Sequence, residues 1–180
     1  MRPIRDILRS HCQFDANGRH QNGTDRESNH HYGDAYENIF ADPLKLGGRG
    51  RLGVNLLLEI GTADGAGLLA WREVFPNAHI VGMDIHSCEK AETNGIEFIL
   101  GDQRLQECCE RAAAGRLFDV IIEDAMHTLD NTLLTMFWLW PNVKPGGMYI
   151  VEEWANVGAC GRNIRHLFPD AEIVPTVGPS

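Results

Sequence analysis

Asp124-Ala125-Met126-His127 and Glu152-Glu153 are the residues of this sequence best equipped for chemistry. A histidine three positions after an aspartate can lie beside the same ligand, and a neutral imidazole takes up a proton near neutral pH. Three carboxylates, Asp124, Glu152 and Glu153, make a hard oxygen donor set with water, which suits Mg²⁺ better than zinc. A hydroxyl held against such an ion becomes more acidic, so His127 beside these acids reads as a site that activates a hydroxyl. Spacing alone supports a structural histidine and solvated glutamates equally well, so both roles stand as expectations.

A second group is the run Glu59-Ile60-Gly61-Thr62-Ala63-Asp64-Gly65-Ala66-Gly67. Gly61 and Gly65 let the backbone turn tightly and come close to a ligand, and Gly67 opens a helix. Dinucleotide sites use a similar device, but this spacing is not G-x-G-x-x-G. Glu59 would face like charge beside a pyrophosphate, whereas it suits an ammonium or its bound water. These two details favour S-adenosylmethionine over NAD. Asp84 follows the next apolar run at the distance expected of a carboxylate that accepts both ribose hydroxyls. Asp84 and Asp102 can equally cap a turn or a helix.

These residues need elements to hold them. Val54 to Ile60 reads as a strand buried on both faces, followed by strands at His79 to Met83, Ile96 to Leu100, Phe118 to Ile122 and Met148 to Val151. Helices are expected over Gly67 to Phe75, Leu105 to Ala114 and Leu129 to Trp140, with Gly115 a C-terminal stop and Pro145-Gly146-Gly147 a turn into the last strand. Alternating strands and helices predict an α/β protein: a Rossmann-like, doubly wound, mostly parallel sheet in three αβα layers. Ligands bind such sheets outside the carboxyl ends of the strands. All five ends here carry polar residues: Glu59 to Gly65, Asp84, Asp102, Glu123 to His127, and Glu152 with Glu153.

Composition bounds the rest. The 180 residues suit one domain with a full core, and 43% hydrophobic with 23% charged residues is ordinary globular usage. A formal charge of −9 argues against nucleic acid and against an anionic membrane surface as partners. Met1 to Ser10 carries three arginines and no apolar run follows it, so it does not read as a signal peptide, and no stretch reaches the length of a membrane span. Five cysteines without a C-x-x-C pair read as spectator thiols, and a cytoplasmic protein is expected.

Over residues 22 to 153 the sequence resembles the class I S-adenosylmethionine-dependent methyltransferases, and among them the metal-dependent sugar O-methyltransferases that act on macrolide-type natural products. The segments that carry the resemblance are N-G-T-D-R (22–26), H-H-Y-G-D-A-Y-E (30–37), L-L-E-I-G (57–61), G-M-D-I (82–85) and G-D-Q (101–103). The Trp71/Phe75-Pro76 helix end, I-I-E-D-A-M-H (121–127) and P-G-G-M-Y-I-V-E-E (145–153) complete the set. The family commonly has D-G-S-H where this chain has Asp124-Ala125-Met126-His127, a departure that bears on the substrate class.

The resemblance implies a cofactor site over Glu59, Gly61, Thr62, Asp64 and Gly65, with Asp84 and Ile85 at the ribose, Asp102 and Gln103 at the adenine, and Glu123 nearby. It implies His127 as the base, assisted by Asp124, and Asp124, Glu152 and Glu153 as metal ligands. It also implies that a polar segment of residues 1–50 closes over the domain of residues 51–180, with Thr24 and Tyr32 touching the cofactor. Asn17-Gly18 and Asn22-Gly23 read as turns within that segment.

After Glu153, 27 residues allow a helix near Cys160 to Phe168 and a strand near Ala171 to Val177, fewer elements than a seven-stranded methyltransferase sheet needs. The sheet is expected to be short at its C-terminal edge or completed by another subunit, as in a homo-oligomer. The expected activity is Mg²⁺-assisted methyl transfer to a hydroxyl of a sugar, a diol or another small natural product. The alternatives are a cofactor-binding protein without methyl transfer, an NAD-dependent oxidoreductase, and a hydroxylase-like relative on the same scaffold.

Overall fold

The computed structural model describes residues 1–41, 46–48, 50–153, 164 and 166–169. Its elements begin with α1 (Ile4–Ser10), β1 (Cys12–Phe14), β2 (His20–Gly23) and α2 (Gly33–Ala41), followed by β3 (Leu56–Ile60), α3 (Ala66–Val74), β4 (His79–Asp84) and α4 (Glu89–Thr93). β5 (Glu97–Leu100), α5 (Gln106–Ala113), β6 (Phe118–Glu123), α6 (Leu129–Leu139) and β7 (Val143–Val151) complete them. β3 to β7 form one five-stranded sheet in the order β5-β4-β3-β6-β7, and each neighbouring pair is parallel. The chain builds outward from β3 through β4 to β5, then returns to lay β6 on the other side of β3. The ends of β3 and β6 therefore flank the point where the winding reverses, where open α/β sheets leave a crevice for ligands.

The apolar runs form strands because both faces are covered. Leu57, Val120 and Ile122 face one layer with Leu68, Trp71, Val74 and Phe75. Leu58, Val81, Met83 and Ile121 face the opposite layer with Cys109, Ala112 and Leu139. The three-layer αβα arrangement expected from the sequence is the observed one.

The N-terminal segment has more structure than its polar composition advertises. Ile4, Ile7 and Leu8 of α1 and Tyr36 and Phe40 of α2 are buried in the same cluster as Leu57 and Trp71. Tyr36 packs edge-on to Trp71, with ring centres 5.0 Å apart, and Phe40 does the same to Phe75 at 4.8 Å. The segment thus shares one core with the sheet.

Two turn readings are corrected. Pro145-Gly146-Gly147 lies inside β7, which begins at Val143 and changes register against β6, from Phe118 opposite Val143 to Val120 opposite Met148. This bulge brings Gly147 so near three backbone carbonyls that a β-carbon would sit 2.9–3.1 Å from them. Asn22-Gly23 ends β2 and makes no hairpin turn. Asn17-Gly18 does lie in the turn between β1 and β2, held by Asp15, whose carboxylate accepts from the Asn17 and Arg19 amides. The strand expected at Ala171 to Val177 falls outside the described residues, as does most of the helix near Cys160 to Phe168. Ile164 and Phe168 are described and pack with Met136 of α6.

Candidate active site

A pocket of about 330 Å³ opens at the carboxyl ends of β3, β4, β5 and β6 and is lined as well by residues 23–26. The loop after β3 supplies one wall with Gly61, Thr62 and Asp64. Gly61 has a φ of +82°, and a β-carbon there would lie 2.1 Å from the Asp124 carbonyl oxygen, so only glycine lets the two strand ends approach. Gly65 lies off the wall in a left-handed conformation and starts α3. Asp64 bonds Lys90 of α4 and the Ala66 amide, which fixes the loop against its neighbour.

Asp84, at the end of β4, lines the pocket and organises it. One carboxylate oxygen accepts from the Thr62 and Ala63 amides at 2.8 and 3.0 Å, and the other from the His86 amide at 2.9 Å. The turn-capping reading is therefore realised, and each carboxylate oxygen keeps lone-pair capacity beyond these bonds. Ile85 is exposed at the rim. Asp102 lines the pocket too, and the Arg104 guanidinium forks onto it at 2.6–3.0 Å, which lowers its pKa. Arg104, His86 and Met126 also line the pocket and were not singled out from the sequence.

Gln103 joins the two halves of the crevice. Its Oε1 accepts from the Met126 amide at 3.1 Å, and its Nε2 donates to Glu123 at 3.0 Å and to Thr135 at 2.9 Å. Glu123 stands behind the pocket wall, not on it. Burial raises its pKa, and one of its oxygens has no hydrogen-bond partner among the described residues.

Beside the pocket, the ends of β6 and β7 bring acids and histidines together. His127 Nε2 lies 3.8 Å from Asp124 Oδ1 and 3.7 Å from Glu153 Oε2. The other Glu153 oxygen meets His30, which also contacts Asp25. Asp25, His30 and Glu153 could together offer ligand atoms within 4.8 Å of one another. Ala63, His127 and Glu153 are non-glycine residues with φ of 46°, 52° and 53°, a conformation that clusters at functional sites because surrounding contacts must enforce it.

Glu152 sits behind this group, in contact with Asp124. It is buried and accepts from Arg26 Nε at 2.8 Å and from the Tyr36 hydroxyl. Burial, opposed by Arg26 and reinforced by Asp124, pushes it up to about 7. Glu59 turns inward as well: Arg26 meets it at 2.7 Å and Trp71 Nε1 donates to it at 3.1 Å, and it does not line the pocket. Of the expected cofactor contacts in the N-terminal segment, Thr24 lines the pocket. Tyr32 stacks on His30 at 5.2 Å away from the pocket wall, and burial raises its pKa to about 12.

These residues fit a divalent cation. Glu59, Asp124 and Glu152 gather around Arg26, and Glu153 lies against His127 and His30, in the group of Asp25, His30 and Glu153 whose ligand atoms come within 4.8 Å of one another. Asp124 Oδ1 and Glu153 Oε2 are hard oxygens on the side of His127, away from the guanidinium, and the expected third ligand, Glu152, is engaged behind them.

No family model matches the chain. It is similar to demethylmacrocin O-methyltransferase of Streptomyces fradiae, 34% identical over 90 residues, which cover 49% of this chain and 23% of the relative. It is also similar to mycinamicin VI 2''-O-methyltransferase of Micromonospora griseorubida, 32% identical over 105 residues covering 54% of this chain and 26% of the relative. The chain thus spans about a quarter of the length of these relatives. Among solved structures, the MycE methyltransferase of mycinamycin biosynthesis, determined with Mg and S-adenosylhomocysteine, superposes with a TM-score of 0.69 at 24% identity, over 88% of this chain and 39% of that one. The fold is that of the methyltransferases, and the homologues are sugar and macrolide O-methyltransferases. Among the described residues no helix is long and apolar enough to cross a membrane.

Proposed function

We propose that this chain carries the cofactor and chemical site of an S-adenosylmethionine-dependent O-methyltransferase that acts, with Mg²⁺, on a hydroxyl of a sugar or a similar vicinal diol. One observation carries the reading: the pocket around Gly61 and Asp84 opens directly beside the group formed by His127, Asp124 and Glu153. The similarity to sugar and macrolide O-methyltransferases supports the same class of acceptor.

Each residue has a definable task. Gly61 and Thr62 give the cofactor a close backbone wall, and Asp84, already rigid through three amides, offers its remaining lone pairs to ribose hydroxyls. Asp102 and Gln103 line the pocket where the adenine would lie. Asp124 and Glu153 would hold the cation, with Glu152 beside them. When bound, Mg²⁺ lowers the pKa of an acceptor hydroxyl and fixes its position. S-adenosylmethionine supplies an electrophilic methyl group, and its transfer to a hydroxyl releases one proton. His127 takes that proton on Nε2, and the carboxylates of Asp124 and Glu153, each within 3.8 Å of that nitrogen, stabilise the imidazolium. Residues 23–26 cover the pocket and limit the entry of water.

The test is an assay for S-adenosylhomocysteine release with Mg²⁺ and a panel of sugar and diol acceptors. Release that needs the acceptor, the cation and His127 supports the proposal. Binding of the cofactor without release for any acceptor supports a non-catalytic cofactor-binding protein instead.

A further inference from the structure

Arg26 closes the Asn22–Arg26 motif and lines the cofactor pocket, but the reading above gives it no task toward the cation. It is only 4% exposed. Its Nη2 lies 2.7 Å from Glu59 Oε1 and 2.8 Å from Asp124 Oδ2, its Nε lies 2.8 Å from Glu152 Oε1, and its guanidinium carbon stands 5.2 Å from the centre of the Trp71 ring. One side chain from the N-terminal segment thus engages β3 and the loops that follow β6 and β7.

Only a planar fork can serve three carboxylates in three directions while stacking on an indole; an ammonium is a point charge. Burial works against the charge of Arg26, but Glu152, Glu59 and Asp124 outweigh it and keep the guanidinium protonated. Without it, three crowded carboxylates would repel one another, with Trp71 and Tyr36 left to hold Glu59 and Glu152 and the grip on Asp124 Oδ2 lost. With it, Asp124 is gripped by Oδ2 alone, and Oδ1 is left on the side of His127.

We propose that Arg26 is a positioning residue for the divalent cation: by gripping Asp124 and Glu152 from behind, it leaves Asp124 Oδ1 on the side of His127 and couples that alignment to the segment lining the cofactor pocket. The proposal rests on the reading that Asp124 and Glu153 hold a cation. Residues that orient metal ligands in this way typically alter metal affinity by about 10–100-fold when replaced.

The experiment is titration of the protein with Mn²⁺, read by electron paramagnetic resonance, alongside calorimetric titration with S-adenosylhomocysteine. Wild type is compared with Arg26→Lys, which keeps the buried charge, and with Arg26→Met, which removes it. Arg26→Lys is expected to weaken Mn²⁺ binding by about tenfold and S-adenosylhomocysteine binding by a clearly smaller factor, since Arg26 also lines the cofactor pocket, and Arg26→Met to weaken Mn²⁺ binding further. If thermal melts show that Arg26→Met does not fold, Arg26→Lys decides alone. Equal losses of both affinities in Arg26→Lys would assign Arg26 a merely structural role and overturn the proposal, as would unchanged or tighter Mn²⁺ binding. Wild type that binds S-adenosylhomocysteine but not Mn²⁺ would overturn the cation reading itself, and this proposal with it.

Discussion

His127 and Asp84 separate the two tasks of the site. His127 stands beside the acids and off the pocket wall, so His127→Ala is expected to leave S-adenosylhomocysteine affinity nearly unchanged and to abolish turnover in the release assay; a fully active variant would remove it as the base. Asp84 holds the loop after β3 through three backbone amides, and its loss leaves those donors unpaired. Asp84→Ala should weaken S-adenosylhomocysteine binding by about 1–3 kcal/mol in calorimetry, and unchanged affinity would take Asp84 out of the site. That the loops carrying Asp124, His127 and Glu153 meet was legible in the sequence, because they follow two apolar runs that read as buried parallel strands. Arg26 was not, because its burial depends on carboxylates from β3, β6 and β7, more than thirty positions away in sequence. For the same reason Glu59 and Glu152 read as exposed to the site when Arg26 in fact holds them inward.

At the scale of elements, β3, β4, β5 and β6 lie within two residues of their expected limits, since a strand covered on both faces leaves a continuous apolar run. β7 started earlier than expected because a Pro-Gly-Gly run signals a turn, and only pairing with β6 turns it into a bulge. α1 escaped notice because Ile4, Ile7 and Leu8 are few apolar residues among arginines, and their burial requires α2 and α3 to be in place. Leu8 is fully buried, so Leu8→Ala should cost about 2–5 kcal/mol in denaturant unfolding, whereas a loosely laid cover would show almost no change. At the opposite edge, Glu97 of β5 pairs with Arg116 and His79, and chiefly its hydrogen bonds to Arg116 hold its pKa down at about 2. A depressed carboxyl stabilises the fold above its unfolded pKa and loses that contribution as pH falls through the folded value. Thermal melts of Glu97→Gln should therefore sit slightly below wild type near neutral pH, by a small margin because the pair is partly exposed, and the gap should close between about pH 4 and pH 2. A gap that widens on acidification would contradict the assignment.

At the scale of the molecule, the reversal of winding between β3 and β6 decides where everything else goes. It places the glycine loop, Asp84 and the loop carrying Asp124 and His127 around one crevice, and the N-terminal segment lines that crevice with residues 23–26 while sharing the core beneath it. A formal charge of −9 adds a field that draws cations toward the acidic cluster. The central claim is that this crevice binds S-adenosylmethionine beside a divalent-cation site. Calorimetric titration with S-adenosylhomocysteine, with and without Mg²⁺ and against NAD as the control, tests it most directly. The account predicts micromolar binding of S-adenosylhomocysteine, separate heat from Mg²⁺, and no binding of NAD. Binding of NAD, or of neither nucleotide, would contradict it and leave the glycine loop a structural turn.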